Sequence, residues 1–245
     1  GVVVNGHLGE LYLESHGVVF SPETARINEL SVKNTDVSLT LENMEDTDTT
    51  TTEPIYWKIL LDEIDFENVG FALNMPQDSL FVRTMLPKTT LKDGVIDLKE
   101  ASYYVKSFEM DNAELAYGPK EELSLKKIGL QLDSIYYCGR DIRANIEEFV
   151  FKERSGLELV STEGRIASDS VLIQIPKFTM KTTASSLDLQ TKIGWDVLEM
   201  KKTGVLSAKI NAEIGKGDVA KILGGRDTLF LQTYPNKPFV FRADA

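Results

Sequence analysis

An all-β chain built from a degenerate repeat is what the sequence predicts, and three observations carry that prediction. Apolar and polar residues alternate with a period of two over most of the 245 residues. One pattern, apolar-x-apolar-x-Asn-x-x-apolar-x-apolar, recurs along the chain. Only one short stretch has helical spacing.

Taken in order, the alternating runs are Ile27 to Leu41, Ile59 to Met75, Phe108 to Tyr117, Lys126 to Tyr137, Val171 to Met180 and Ala208 to Ile214. They are rich in Val, Ile, Thr, Phe and Tyr, which fit a half-buried pleated surface. Turn signals stand between them: Ser21-Pro22, Asn74-Met75-Pro76-Gln77-Asp78, Lys92-Asp93-Gly94, Tyr117-Gly118-Pro119-Lys120, Cys138-Gly139-Arg140-Asp141 and Pro235-Asn236-Lys237-Pro238. The segment from Glu42 to Glu53, acidic and then a run of threonines, reads as a solvated loop, because the same β pattern resumes beyond it. The helical stretch is Gly217 to Gly224, with Asp218 placed to cap its start and Gly224 to end it.

The repeat has physical content. It fits Leu30, Val32, Asn34, Val37 and Leu39, then Ile64, Phe66, Asn68, Phe71 and Leu73, then Phe108, Met110, Asn112, Leu115 and Tyr117. Looser copies are Ile128, Leu130, Leu132, Ile135, Tyr137 and Ile173, Ile175, Phe178, Met180. Residues two apart share a face of a strand, so the step from Asn34 to Val37 shifts the phase by one. A bulge or tight turn must absorb that shift, and Asn tolerates the left-handed conformation such a kink uses. Kinks stacked in register curl a sheet into a trough. About 16 to 18 strands of roughly eight residues, some 4.8 Å apart, are expected.

Composition narrows the function. A net charge of -11 argues against nucleic acid and against electrostatic adhesion to anionic headgroups, but not against contact with acyl chains. The single Cys138 cannot form an intramolecular disulfide and reads as a buried structural thiol. His7 and His16 are the only histidines, and neither has partners at zinc spacing. Gly215-Lys216-Gly217-Asp218-Val219-Ala220 spells part of a dinucleotide fingerprint, yet the helix after it is too short for a βαβ crossover, so it reads as a turn and cap. Glu45-Asp46-Thr47-Asp48 lacks the glycine and the distal glutamate of a calcium loop. The carboxylate pairs Glu121-Glu122 and Glu147-Glu148 point to opposite faces when in strands. No G-x-S-x-G occurs, and no cofactor signature is complete. The chain is therefore expected to be non-enzymatic. Its apolar stripes suit either an open trough or the core of a closed sandwich acting as a passive scaffold or adhesin-like protein.

The repeat, followed by Phe149 to Leu159, Gly164-Arg165-Ile166 and Ile173 to Thr182, and then by the strand and short turn of Ser207 to Leu223, resembles the AsmA-like/TamB family of envelope proteins. The likeness runs over roughly 27–223. It implies an elongated, curled, antiparallel sheet of half-pipe form with an apolar inner face, here a single β-repeat segment over 1–245. It further implies a periplasmic place, tethered to the inner membrane by a segment outside this sequence. The implied role is phospholipid transport and outer-membrane assembly, with an outer-membrane barrel contacted through other regions. The family has no catalytic residues. The expected acyl-chain groove is Leu30, Val32, Val37, Leu39, Ile64, Phe66, Phe71, Leu73, Phe108, Met110, Leu115, Ile173, Ile175, Phe178 and Met180.

Overall fold

The computed structural model describes residues 2–20, 23–42, 56–200, 204–224 and 226–244. The fold is all-β, with thirteen strands and three short helices among the described residues. It divides into two compact units, residues 1–129 and 130–245.

The first unit holds β1 (Val2–His7), β2 (Glu10–Phe20), β3 (Glu23–Leu41), β4 (Lys58–Met75), β5 (Leu80–Asp97), β6 (Ser102–Tyr117) and the start of β7 (Leu123–Cys138). The strand order is β1-β3-β4-β5-β6, and β2 also pairs with β3. β1 covers Asp36 to Leu41 of β3 and β2 covers Glu23 to Lys33, so the two together form one broken edge strand. β3 and β4 are parallel, against the expected antiparallel pairing. A parallel pair needs a connection of a dozen residues or more, and residues 42–57 separate the two strands. The expected 43–55 part of the acidic loop and the expected Ser21-Pro22 turn lie outside the described residues.

Parallel pairing sets the first two copies of the repeat side by side, with Leu30 opposite Ile64, Val32 opposite Phe66, Val37 opposite Phe71 and Leu39 opposite Leu73. The predicted kink is present in all three Asn copies: φ is 50° at Asn34, 54° at Asn68 and 54° at Asn112. The register through β3, β4, β5 and β6 does not slip at this line, because paired strands skip equal numbers of residues there, one each in β3–β4 and β4–β5 and two each in β5–β6, with Pro87 serving in β5. A second line of skipped residues joins Asn28, Asp62, Asp93 and Lys106, and Asp93 has φ 52°. Lys92-Asp93-Gly94 is thus a kink inside β5 and not a turn. The strands also number fewer than expected and run longer, up to 19 residues in β3, because a kinked strand carries the segments on both sides of its kinks.

The second unit continues from β7 through β8 (Asp141–Glu153), β9 (Glu158–Ser168), β10 (Leu172–Thr182), β11 (Ser186–Gly194), β12 (Leu206–Ile214) and β13 (Phe239–Asp244), in sequence order. Its three helices are α1 (Trp195–Leu198), α2 (Lys216–Leu223) and α3 (Thr228–Thr233), of which only α2 is legible as a helix in the sequence. Gly224 ends α2 in the left-handed region at φ 56°, as its lack of Cβ allows. The N-cap is Gly215 and not Asp218. Asp218 instead reaches back to the β10–β11 turn, where Ser185 Oγ donates to it at 2.7 Å and Thr182 Oγ1 also donates. Burial opposes its charge, but those hydroxyls and the Lys221 ammonium hold its carboxyl below the usual carboxylate range. β12 and β13 are antiparallel, so the partial dinucleotide fingerprint before α2 opens no βαβ unit.

A sheet with one apolar face must cover it or leave it open. Among the described residues only Leu61, Ala113, Ile128 and Leu159 are buried apolar side chains, and no large side chain is fully buried. Cys138 is half-buried at the end of β7, not buried.

Candidate functional site

Directly paired residues lie on the same face of a sheet, so the register turns the repeat into rows. In the first unit one row runs Leu13, Leu30, Ile64, Leu91, Phe108, and the next Leu11, Val32, Phe66, Thr89, Met110. Beyond the asparagine line the rows are Gly6, Val37, Phe71, Thr84, Leu115 and Val4, Leu39, Leu73, Val82, Tyr117. Every groove residue expected between Leu30 and Leu115 falls in one of these four rows.

Keeping the rows on one face requires each kink to absorb the odd step. Gly94 shows that it does. A Cβ placed there would lie 3.2 Å from Leu91 Cδ2 and 3.3 Å from Leu61 Cβ. Leu91 and Gly94, three residues apart across left-handed Asp93, therefore face the same neighbours. The step from Val32 to Thr35 across Asn34 is of the same kind. The intervening residues form the opposite, polar face, where Lys33 meets Glu67 at 3.2 Å, Lys92 meets Glu63 at 3.0 Å and Thr90 Oγ1 donates to Asp65 at 2.6 Å. Such exposed ion pairs contribute little stability, about 0–1 kcal/mol each; their use here is to mark the wet side. The kink residues pair along their own lines: Asn68 Nδ2 donates to Asn34 Oδ1 at 3.3 Å, Asn28 Nδ2 to Asp62 at 2.8 Å, and His16 Nδ1 lies 2.6 Å from Asn28 Oδ1.

In the second unit β11 alternates without interruption, so Ile193, Thr191, Leu189 and Leu187 share a face. Their partners in β10 are Ile173, Ile175, Phe178 and Met180, with the register shift between Ile175 and Phe178. A bulge at Pro176-Lys177 thus does in β10 what asparagine does in the first unit. The row continues outward from Phe178 to Gly164 on one side and through Leu189 to Ile210 on the other. The Phe178 ring occupies the space over Gly164, where a Cβ would come within 2.6 Å of it.

Each unit therefore presents an apolar face, and the expected groove residues are half-buried, with Phe71 the most open at 38%. Two hydroxyls on these faces stand out. Thr89 is 4% exposed and Thr162, opposite Met180, is 3% exposed, and neither Oγ1 has a hydrogen-bond partner among the described residues. The sequence pattern missed Leu91, Val82, Leu187, Leu189 and Ile210. β5 has no asparagine at its kinks; the usable signal there is the step of three from Leu86 across Pro87 to Thr89.

No protein-family model matches the chain, and neither a curated protein nor a solved structure matches it.

Proposed function

We propose that this protein is a non-enzymatic carrier of lipid acyl chains, working in the manner of the AsmA/TamB-like envelope proteins that its repeat resembles. One observation carries the reading: kinked strands keep the expected groove residues on one apolar face in each unit, and that face is left half-exposed instead of being closed into a core. Withdrawing a methylene from water gains about 0.8 kcal/mol, so a sixteen-carbon chain laid on such a face gains on the order of 10 kcal/mol before ordering costs. Rows of nearly equivalent apolar residues hold a chain without fixing it, which suits movement of lipid along the sheet. On this reading the chain serves phospholipid transport between membranes in the periplasm and contributes to outer-membrane assembly.

The test is capture. Protein purified from a lipid-containing host carries phospholipid detectable by native mass spectrometry after organic extraction, and a photoactivatable phospholipid crosslinks to Phe66, Phe71 and Phe178. Phe71→Asp and Phe178→Asp each keep the fold, because a carboxylate on an open face stays hydrated, and each loses lipid. Folded protein that carries and crosslinks no lipid refutes the carrier reading. Loss of several kcal/mol of stability in both variants, as a buried unpaired carboxylate causes, would instead mark a closed-core scaffold.

A further inference from the structure

The C-terminal part of the second unit carries a patch that the apolar sheet face does not explain. Tyr234, just past α3, donates its hydroxyl to the Ile214 carbonyl at 2.9 Å, and Lys216 Nζ donates to the Tyr234 carbonyl at 3.3 Å. Ile214 in turn pairs with Phe239 of β13. These bonds gather α2, α3, the end of β12 and the start of β13 in one place. A helix packed on a protein turns its apolar side chains inward. Here Val219, Leu223 and Leu231 are half-buried, but Ile222 is 69% exposed, Leu229 74% and Phe230 47%, and Phe239 at the start of β13 is 52% exposed.

The charges nearby differ in sign from those of the chain as a whole. In the first unit seven of the eleven cations have an ion-pair partner among the described residues, as Arg26 has Asp62 and Lys33 has Glu67. Arg226, Lys237 and Arg242 are exposed and have no carboxylate within ion-pair distance among the described residues. Residues 215–245 hold five cations (Lys216, Lys221, Arg226, Lys237, Arg242) against three carboxylates (Asp218, Asp227, Asp244), a surplus of two in a chain of net charge -11. Two of those carboxylates are engaged: Asp218 is buried on the β10–β11 turn, and Asp227 caps α3 by accepting from Phe230 N at 2.9 Å. The whole-chain charge, which argues against headgroup adhesion, conceals a local reversal.

We propose that this end of the second unit docks on the surface of an anionic lipid bilayer. Ile222, Leu229, Phe230 and Phe239 enter the boundary between headgroups and acyl chains, while Arg226 and Lys237 meet the phosphates. Short elements that combine exposed apolar side chains with unpaired cations have the chemistry of an interfacial anchor. A second copy seated on the same patch by two-fold symmetry would set like charges against each other. The inference goes beyond the acyl-chain face and stands whether or not that face carries lipid.

Co-sedimentation of the full chain with vesicles tests it, comparing phosphatidylcholine alone with phosphatidylcholine plus phosphatidylglycerol. The chain pellets with the anionic vesicles, and binding weakens as salt rises. Arg226→Glu with Lys237→Glu lowers binding at least about tenfold, since each cation near an anionic surface is worth roughly fivefold. Ile222→Asp with Leu229→Asp does the same, and because both side chains lie in solvent, the thermal transition is unchanged. The charge-reversed variant keeps whatever lipid the sheet face holds, which separates the two readings. Failure to bind anionic vesicles, binding by either double variant as strong as by the parent chain, or self-association through this patch without vesicle binding would each overturn the proposal.

Discussion

A hydroxyl buried without a partner costs its desolvation, about 1–3 kcal/mol, whereas the isosteric methyl of valine costs nothing of the kind. Thr89 and Thr162 are in that position on the apolar faces of the two units. Thr191 is a matched control: it is also buried, on the same face of β11 as Leu189, but its Oγ1 donates to the Ser207 carbonyl at 2.9 Å. Thr89→Val and Thr162→Val are therefore expected to raise stability by about 1 kcal/mol each, and Thr191→Val to lower it by about the same amount. Urea unfolding of the three variants measures this. A loss of stability in Thr89→Val would show that its hydroxyl is bonded in solution, and the partner would then belong to the site.

At the scale of the strand, the asparagines are what let a long apolar run keep one face. In those three copies the left-handed asparagine makes the odd step, and a β-branched side chain is strained there by roughly 1–2 kcal/mol. Asn68 is exposed, at φ 54°, and its side chain makes one long bond to Asn34. Asn68→Val should cost about 1–2 kcal/mol, while Asn68→Gly, free of Cβ strain, should stay within about 0.5 kcal/mol of the parent. Equal losses in both, by the same denaturant measurement, would mean that the side-chain ladder and not the backbone angle holds the kink. This device was legible in the sequence because the phase slip and the asparagine occur together in three copies. In other strands the same job is done by residues that carry no common signature. Pro87 and Asp93 do it in β5 and Pro176-Lys177 in β10. Lys92-Asp93-Gly94 reads as a turn because a turn and a kink need the same left-handed residue; only pairing on both sides tells them apart. The parallel pairing of β3 with β4 was hidden for another reason, since alternation within a strand carries no information about the direction of its neighbour. Asp218 illustrates the converse: its position before Val219 suits a cap, and a tertiary demand from Thr182 and Ser185 takes its side chain elsewhere.

Across the whole chain, charge and edge exposure are unevenly spread, and the edges carry a consequence for association. β1 and β2 lie along the outer side of β3, so the other side of each offers backbone N–H and C=O groups with no strand beside them among the described residues. Sheets usually guard such edges with Lys, Pro or inward charges. Residues 2–20 contain no Lys, Arg or Pro; Glu10 and Glu14 are the only charged side chains apart from the histidines, and Gly17 gives the one left-handed break. Val2, Val4, Leu11, Leu13, Val18 and Val19 are all more than half exposed along this edge. Strand addition there would extend the rows of the apolar face and satisfy the free backbone at once. The chain is accordingly expected to self-associate reversibly through residues 2–20, in a concentration-dependent way that sedimentation velocity resolves. Val3 and Tyr12 pair with Thr40 and Ser31, on the polar face, so changing them leaves the apolar rows untouched. Val3→Lys with Tyr12→Lys brings like charges together whenever two such edges meet, and should weaken association about tenfold, or ~1.4 kcal/mol. A chain that sediments as a monomer at every concentration, or associates equally well with both lysines in place, would show that this edge is guarded by something other than its own sequence.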